Sequence, residues 1–335
     1  MNNFEKYYEW LTKINKLNFQ DKSILLIGGG EISEQYVEAL VKLKITDITI
    51  LTKTGKSIKS VFKNKINIIT GGFEKSKYNK KHDLVIITTP IPLLLEATKF
   101  ALNMGNNNIL IEKPGSLFYK KLNTIANKTR NKRIRIAYNR IAYSNFYKLK
   151  SLIQKEGGIS SCRFTFTEWL DRINFNKYEK EEYTRWGISN SLHVITMAME
   201  LIGMPKRISS LNHGKLKWHK TGSVFVGNGI SEKNVPFSYH ADWGSGGRWG
   251  IEIMTPENLY ELIPLEELWA TPKYTTKKKQ VKFDIAFNKV KQGLAEEIAL
   301  MLSPEIEKKI PLVTLKKASQ YNKLAEKIFG YSSNS

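Results

Sequence analysis

Apolar positions along the first 140 residues come in short unbroken runs, each closed by a turn residue. SILLI (23–27), DITILT (47–52), INIITG (66–71), DLVIITTP (83–90) and NILIEKP (108–114) predict five brief, apolar and β-branched strands, and RIRIAYN (133–139) reads as a sixth. Helical spacing fills several gaps between them, at 33–44, 93–104 and 118–129. A further amphipathic helix is predicted over 4–17, from Phe4, Tyr7, Tyr8, Leu11, Ile14 and Leu17. Strands alternating with helices imply a doubly wound parallel sheet with helices on both faces.

The pattern changes after about residue 150. Runs at 162–168, 223–227, 237–243, 249–255 and 258–264 read as strands separated by turns, and 190–202 is the one clear helix among them. That combination predicts a mainly antiparallel sheet with few helices, in an α+β domain. Helical spacing returns at 284–302 and 314–329. The expected organisation is an α/β domain over 1–145, carrying the extra helix 4–17, and a second domain over 146–330, its last helices packing back on the first.

Composition narrows the classes. The 335 residues are 41% hydrophobic and 11% aromatic, enough to bury real cores, so a disordered chain is excluded. The single cysteine, Cys162, excludes a disulfide framework and a Cys-based zinc site, and no metal is expected. No apolar run reaches the length of a membrane span, and Glu5 and Glu9 interrupt any secretory pattern, so the expected location is the cytoplasm without a membrane partner. The formal charge of +22 comes mostly from lysine: nine Arg leave 44 of the 53 basic residues as Lys, dispersed among Asn and Ile. Without an Arg-rich run or a nucleic-acid signature, that excess argues for an anionic small molecule over a nucleic acid.

The glycines at 28–30 stand between a predicted strand and a predicted helix, where a dinucleotide pyrophosphate docks. Gly28 makes the turn, Gly30 admits the phosphates, and Glu31 and Ile32 open the helix. Ser33 takes the place of the third glycine of the pattern. At the end of the second strand, Thr52 and Lys53, with Lys56 beyond, offer a hydroxyl and cations but no carboxylate. That set suits a 2′-phosphate, so NADP is favoured and NAD is possible; the competing reading is a solvated lysine. Thr89-Pro90 and Glu112-Lys113-Pro114 close the fourth and fifth strands at the ligand-binding edge of such a sheet. Lys113 there is aimed at the cleft.

These motifs, in this order, resemble the Gfo/Idh/MocA family (glucose–fructose oxidoreductase / inositol dehydrogenase), over about residues 22–330. AYNRIAY (137–143) is similar to the family segment in which an Asn-Arg pair, here Asn139 and Arg140, borders the active site. NSLHVITMAMELIG (190–203) resembles the helix carrying the family's catalytic histidine, here His193. GRWGIEIMTPENLYELIPLEEL (247–268) is similar to members from bacterial surface-polysaccharide gene clusters. The resemblance implies a dinucleotide-binding Rossmann domain over 1–145 and an open-faced substrate-binding and oligomerisation domain over 146–330. Together it implies an NAD(P)-dependent oxidoreductase of a sugar or nucleotide sugar, with Lys113 and His193 catalytic and a homodimer or homotetramer as the assembly. Thr89, Pro90, Glu112 and Lys113 would flank the cofactor, and Asn139, Arg140, Arg185, Trp186, Ser189 and Asn190 the substrate. The chain departs from the family at Ser189, where an Asp is frequent. A reductase of an imine or pigment, a catalytically silent cofactor-binding relative, and His193 as a satisfied core histidine remain the alternatives.

Overall fold

A strand covered on both faces has no solvent side to mark with polar residues, and the first sheet shows the consequence. In the computed structural model, which describes residues 2–54 and 66–332, six parallel strands pair in one sheet: β1 (Ser23–Ile27), β2 (Asp47–Leu51), β3 (Asn67–Ile69), β4 (Leu84–Ile87), β5 (Asn108–Glu112) and β6 (Arg133–Ala137). Their order is β3-β2-β1-β4-β5-β6, and an antiparallel strand, Val313–Thr314, closes the β6 edge. Ile24 sits level with Ile48 on one side and Leu84 on the other. Ile24 to Ile27, Val85 to Ile87 and Ile109 to Ile111 are fully buried. The strand order reverses between β1 and β4, and the carboxyl ends on either side of that point form the edge where such sheets take ligands. The helix Glu31–Lys42 follows β1 and packs against the helix Leu294–Leu302. Residues 10–142 and 285–319 make up this unit.

The second unit comprises residues 1–9, 143–284 and 320–335. Its strands are β7 (Ser161–Phe166), β8 (Pro205–His213), β9 (Val224–Ser231), β10 (Pro236–Asp242), β11 (Trp249–Met254), β12 (Asn258–Leu262), β13 (Trp269–Pro272) and β14 (Lys279–Gln280). They pair in the order β14-β13-β12-β11-β7-β10-β9-β8, antiparallel throughout except for the β7–β10 pair. Alternation is plain on β10: Phe237, Tyr239 and Ala241 are buried while Ser238 and His240 face out. The inward face is an aromatic layer in which Phe164 stacks on Phe237 and Tyr239, at 6.2 and 5.6 Å between ring centroids. The helix Leu192–Ile202 packs on β7 and β11.

Several elements differ from the sequence expectation, among them short strands such as Trp269–Pro272 and Lys279–Gln280 that it did not name. The first helix spans Asn3–Thr12, and Ile14–Lys16 forms a separate 3₁₀ turn, so the apolar period outlasts the helix. The helix Ser144–Lys155 and the strand β8 were not anticipated. β8 is an edge strand that alternates only between half-buried and exposed positions, and with Leu211 65% exposed its apolar residues do not mark an inward face. The predicted helix 284–302 begins only at Leu294. Before it, Gly293 holds φ +87°, and a Cβ there would come within 2.7 Å of the Asn139 carbonyl carbon.

Candidate active site

The turn after β1 is built so that only glycine fits. Gly28 holds φ +129°, and a Cβ on it would lie 2.5 Å from the Thr88 hydroxyl. A Cβ on Gly29 would collide with the Thr52 side chain. Gly30, by contrast, has open space beside it and caps the helix Glu31–Lys42. Backbone bonds fix the turn, from Gly28 N to Leu51 O and from Thr88 N to Ile27 O. Ser33 occupies the third-glycine position fully buried, its hydroxyl 2.7 Å from that of Thr88. The substitution thus replaces a packing contact with a hydrogen bond. Glu31 is exposed and Ile32 half-buried in the first helical turn, where free N–H groups and the helix dipole favour an anion. Gly29 belongs with the predicted pair, and its need was readable only once Thr52 was placed opposite it.

Beside this turn lies a cavity of about 180 Å³, lined among others by Gly28, Gly29, Thr52, Lys53, Thr89 and Pro90. The Thr89 hydroxyl is buried and has no hydrogen-bond partner among the described residues. An orphaned donor beside a bare glycine cradle fits a bound dinucleotide. Thr52 is buried and Lys53 exposed at the rim; Lys56 lies outside the described residues. The expectation that no carboxylate stands at this corner needs correction. Glu74, from the loop after β3, lines the same cavity, and a Cβ on Gly72 would meet Glu74 Oε2 at 2.7 Å and Lys53 Cγ at 3.5 Å. The reading along the end of β2 missed it because it comes from a different strand.

At the end of β5, Glu112 accepts a hydrogen bond from the buried Tyr36 hydroxyl at 2.9 Å. Burial raises the Glu112 carboxyl pKa, against the pull of Lys113, Tyr36 and Lys291. Lys113 is half-buried beside it. Lys291 was not anticipated: the loop before Gly293 carries its ammonium into electrostatic reach of Glu112, Glu31 and Arg140. Asn139 is 5% exposed and donates to Gln292 O at 2.9 Å. Its side chain therefore anchors the loop bearing Lys291, where a substrate contact was expected. Arg140 remains half-buried in the same 3₁₀ turn.

In the second unit, His193 lies in the first turn of the helix Leu192–Ile202, 7% exposed, with its ring 6.1 Å from that of Trp249. A π-turn, Gly187–Ser191, leads into it. The residue that organises this end is Glu168, just after β7, at 2% exposure. It accepts from Ser191 Oγ at 2.5 Å, Asn190 Nδ2 at 3.0 Å, Arg248 Nη1 at 3.1 Å and Trp249 Nε1 at 3.3 Å. Burial pushes its pKa up, and Ser191, Arg248 and Trp249 hold it down. A carboxylate thus does stand near the histidine helix, though it comes from the sheet and not from position 189.

The remaining substrate expectations divide. Asn190 is half-buried and bound to Glu168. Ser189 is buried, its hydroxyl donating to Glu182 O at 3.2 Å. Arg185 is 7% exposed, paired to Glu326 at 2.5 Å, bonded to Ser332 O and set over the Tyr331 ring. Trp186 is buried and stacked on Tyr183, with 5.8 Å between centroids. Arg185 and Trp186 therefore hold the C-terminal segment and the aromatic core, and the expectation that they meet substrate is withdrawn.

No family model matches the chain. A stretch of 101 residues is 26% identical to the shikimate dehydrogenase (NADP(+)) of Prochlorococcus marinus (strain MIT 9515), covering 28% of this chain and 35% of that protein. The chain thus spans about a third of that curated relative's length. An oxidoreductase from Thermotoga maritima superposes with TM-score 0.73 at 15% identity, over 93% of this chain and 97% of its own. UDP-N-acetylglucosamine 3-dehydrogenase from Acidithiobacillus ferrooxidans follows at TM-score 0.70 and 11% identity, over 93% and 98%. A levoglucosan dehydrogenase in complex with NADH gives 0.71 at 15% identity, over 92% and 96%. These neighbours are Gfo/Idh/MocA-type oxidoreductases, and at such identities the likeness is one of fold. The fold that the motifs implied is the fold observed. No helix among the described residues is long and apolar enough to cross a membrane.

Proposed function

We infer that the protein is a nicotinamide-dependent oxidoreductase acting on a hydroxyl of a sugar or nucleotide sugar. The observation that carries this reading is the glycine cradle, closed against Thr88 and Thr52, with Lys113 at the carboxyl edge of the same sheet. Gly28, Gly29, Gly30 and the first turn of the following helix would hold the pyrophosphate, and the unpartnered Thr89 hydroxyl would meet the cofactor. When bound, the nicotinamide supplies or takes the hydride, and the chain must bind, orient and move one proton. Lys113 donates to the substrate oxygen and stabilises its alkoxide character. His193 takes the proton in the oxidative direction and returns it in the reductive one. Glu168 positions the start of the histidine helix through Ser191 and Asn190.

The finer reading is NADP as the preferred cofactor, supported by Thr52 and Lys53, and a place in surface-polysaccharide metabolism in the cytoplasm, supported by the 247–268 resemblance. The polar face of the second sheet is the proposed surface for a dimer or tetramer. Titrating NADH and NADPH by fluorescence, then following nicotinamide absorbance with neutral, acidic and nucleotide-linked sugars, tests the reading. Binding of neither cofactor, or turnover of no sugar by protein that binds one, would overturn it.

A further inference from the structure

Arg248, in the second unit, is held from several sides. Its guanidinium carbon lies 4.7 Å from the Trp169 ring centroid and 4.5 Å from that of Trp249, so two indoles contact one planar cation. Each neighbour of the arginine is itself tied down. Trp169 Nε1 donates to Gly247 O at 2.7 Å, Thr165 Oγ1 donates to Arg248 O at 2.9 Å, and Trp249 Nε1 donates to Glu168. One donor of the guanidinium, Nη1, is spent on Glu168 at 3.1 Å. Nε and Nη2 have no acceptor among the described residues, and the side chain stays 37% exposed. A pre-set fork with free donors is the geometry that recognises a carboxylate or phosphate in two-point fashion.

The surroundings fit a sugar. Trp169 is 52% exposed although its N–H is fixed. It shares with Glu168 the lining of an open cavity of about 430 Å³ that also includes Asp171, Arg172, Trp243 and Ser245. Indole faces pack against the apolar faces of pyranose rings, and the polar rim supplies hydroxyl partners. Trp249 links this place to the catalytic candidate, since the same ring contacts Arg248 and lies 6.1 Å from His193. Glu168 serves both ends, bonding Ser191 two residues before the histidine and Arg248 on the other side.

The geometry points to Arg248 and Trp169 as the specificity-determining residues for an anionic sugar, one bearing a carboxylate or a phosphate. This rests on the sugar-oxidoreductase reading and names its substrate class. Arg248 takes the anion, and Trp169 takes the ring that carries it. A neutral monosaccharide leaves the guanidinium fork unused.

Quenching of indole fluorescence reports binding here without any turnover, because two of the indoles belong to the site. Glucuronate, UDP and glucose are the probes, each titrated into the full chain at low and high salt. Saturable quenching by glucuronate or UDP, weakened several-fold by salt, is expected, with glucose at least tenfold weaker. The stronger of the two anions tells whether a carboxylate or a diphosphate is read. Arg248→Lys keeps a positive charge over Glu168 but loses the planar fork, and should lower anion affinity at least tenfold with the fold intact by circular dichroism. Trp169→Leu should lower it several-fold. Equal quenching by glucose, no quenching by either anion, or unchanged anion affinity in Arg248→Lys would overturn the assignment. Anion binding that survives in a protein unable to oxidise or reduce any sugar would instead defeat the oxidoreductase reading and leave Arg248 its ligand.

Discussion

The glycine turn and the histidine helix are both candidate sites, built by opposite means. The turn after β1 is made from backbone: three glycines, two threonines and the main-chain bonds of a parallel sheet. The histidine end is made from side chains that converge on one carboxylate, Glu168, from two other stretches of chain, 190–191 and 248–249. In the first, shape is fixed by what is missing from the residues, so binding and fold separate cleanly. In the second, the groups that set the chemistry also hold the structure, so a change in one disturbs both.

The sharpest test of that contrast is Lys113. It sits at a strand end whose geometry the sheet already fixes, so Lys113→Ala should leave folding and cofactor affinity within a few-fold of the wild type. Hydride transfer should fall by about 10³-fold or more, the scale of losing the charged group that donates to the substrate oxygen and stabilises its alkoxide character. Normal turnover in the variant would remove Lys113 from the reaction.

The same contrast decides what could be read from the sequence. Gly28, Gly30, Thr89 and Lys113 were legible because each lies at a strand end, and strand ends are local features. Glu74 and Lys291 were not, because each reaches its place from a loop distant in sequence, and a lone charged residue in a lysine-rich chain carries no local mark. Glu168 was hidden for the same reason: position 189 was searched for a carboxylate, while the fold supplied one from the end of β7. Arg185 and Trp186 misled in the other direction. They precede the histidine helix in sequence, yet Glu326 and Tyr183 hold them in the interior. The missing apolar alternation along the sequence of β8, whose covered positions are only half-buried, and the late start of the Leu294–Leu302 helix are likewise tertiary effects at an edge and at Gly293.

On the side-chain-built end, two substitutions should behave differently. His193→Ala is expected to lower turnover by roughly 10²–10⁴-fold while leaving the Glu168 bonds in place. Glu168→Ala should cost about 3–5 kcal/mol of stability, because it strands Arg248 and three other donors without their acceptor. Thermal melts beside kinetics separate the two. If His193→Ala lost stability and kept its specific rate, the histidine would be a packing residue.

The second unit also carries a pH liability. His219 is fully buried between Gly222 O at 2.8 Å and the Tyr331 hydroxyl at 2.7 Å, and burial lowers its pKa to about 4. The unfolded chain, with an ordinary histidine near pH 6.5, takes up the proton first. Stability is therefore whole above about pH 6.5 and declines as pH falls toward 4, by about 3 kcal/mol at 1.36 kcal/mol per unit. Melting temperatures across that window should drop, and His219→Gln should flatten this part of the slope. A wild-type curve flat from pH 6.5 to 4 would mean that the imidazole is not held neutral.

The smallest expected effect concerns the ribose corner, where the backbone-built site depends on two exposed side chains of opposite charge. Lys53 attracts a 2′-phosphate; Glu74, on the same cavity, repels it and can accept from a ribose hydroxyl. An exposed ion pair contributes up to about 1 kcal/mol, which is roughly fivefold in affinity. With both residues present, the preference for NADPH over NADH should be modest. Glu74→Gln should raise that ratio about fivefold, chiefly by tightening NADPH. Lys53→Asp should invert it, since two carboxylates would then face the phosphate. Both shifts should shrink as salt rises, because exposed charges are screened over about 8 Å at physiological ionic strength. Paired titrations of the two cofactors against wild type and both variants read the ratio directly. A ratio indifferent to Glu74 would put its carboxylate out of reach of the ribose, and one indifferent to Lys53 would return that lysine to solvent and with it the preference for NADP.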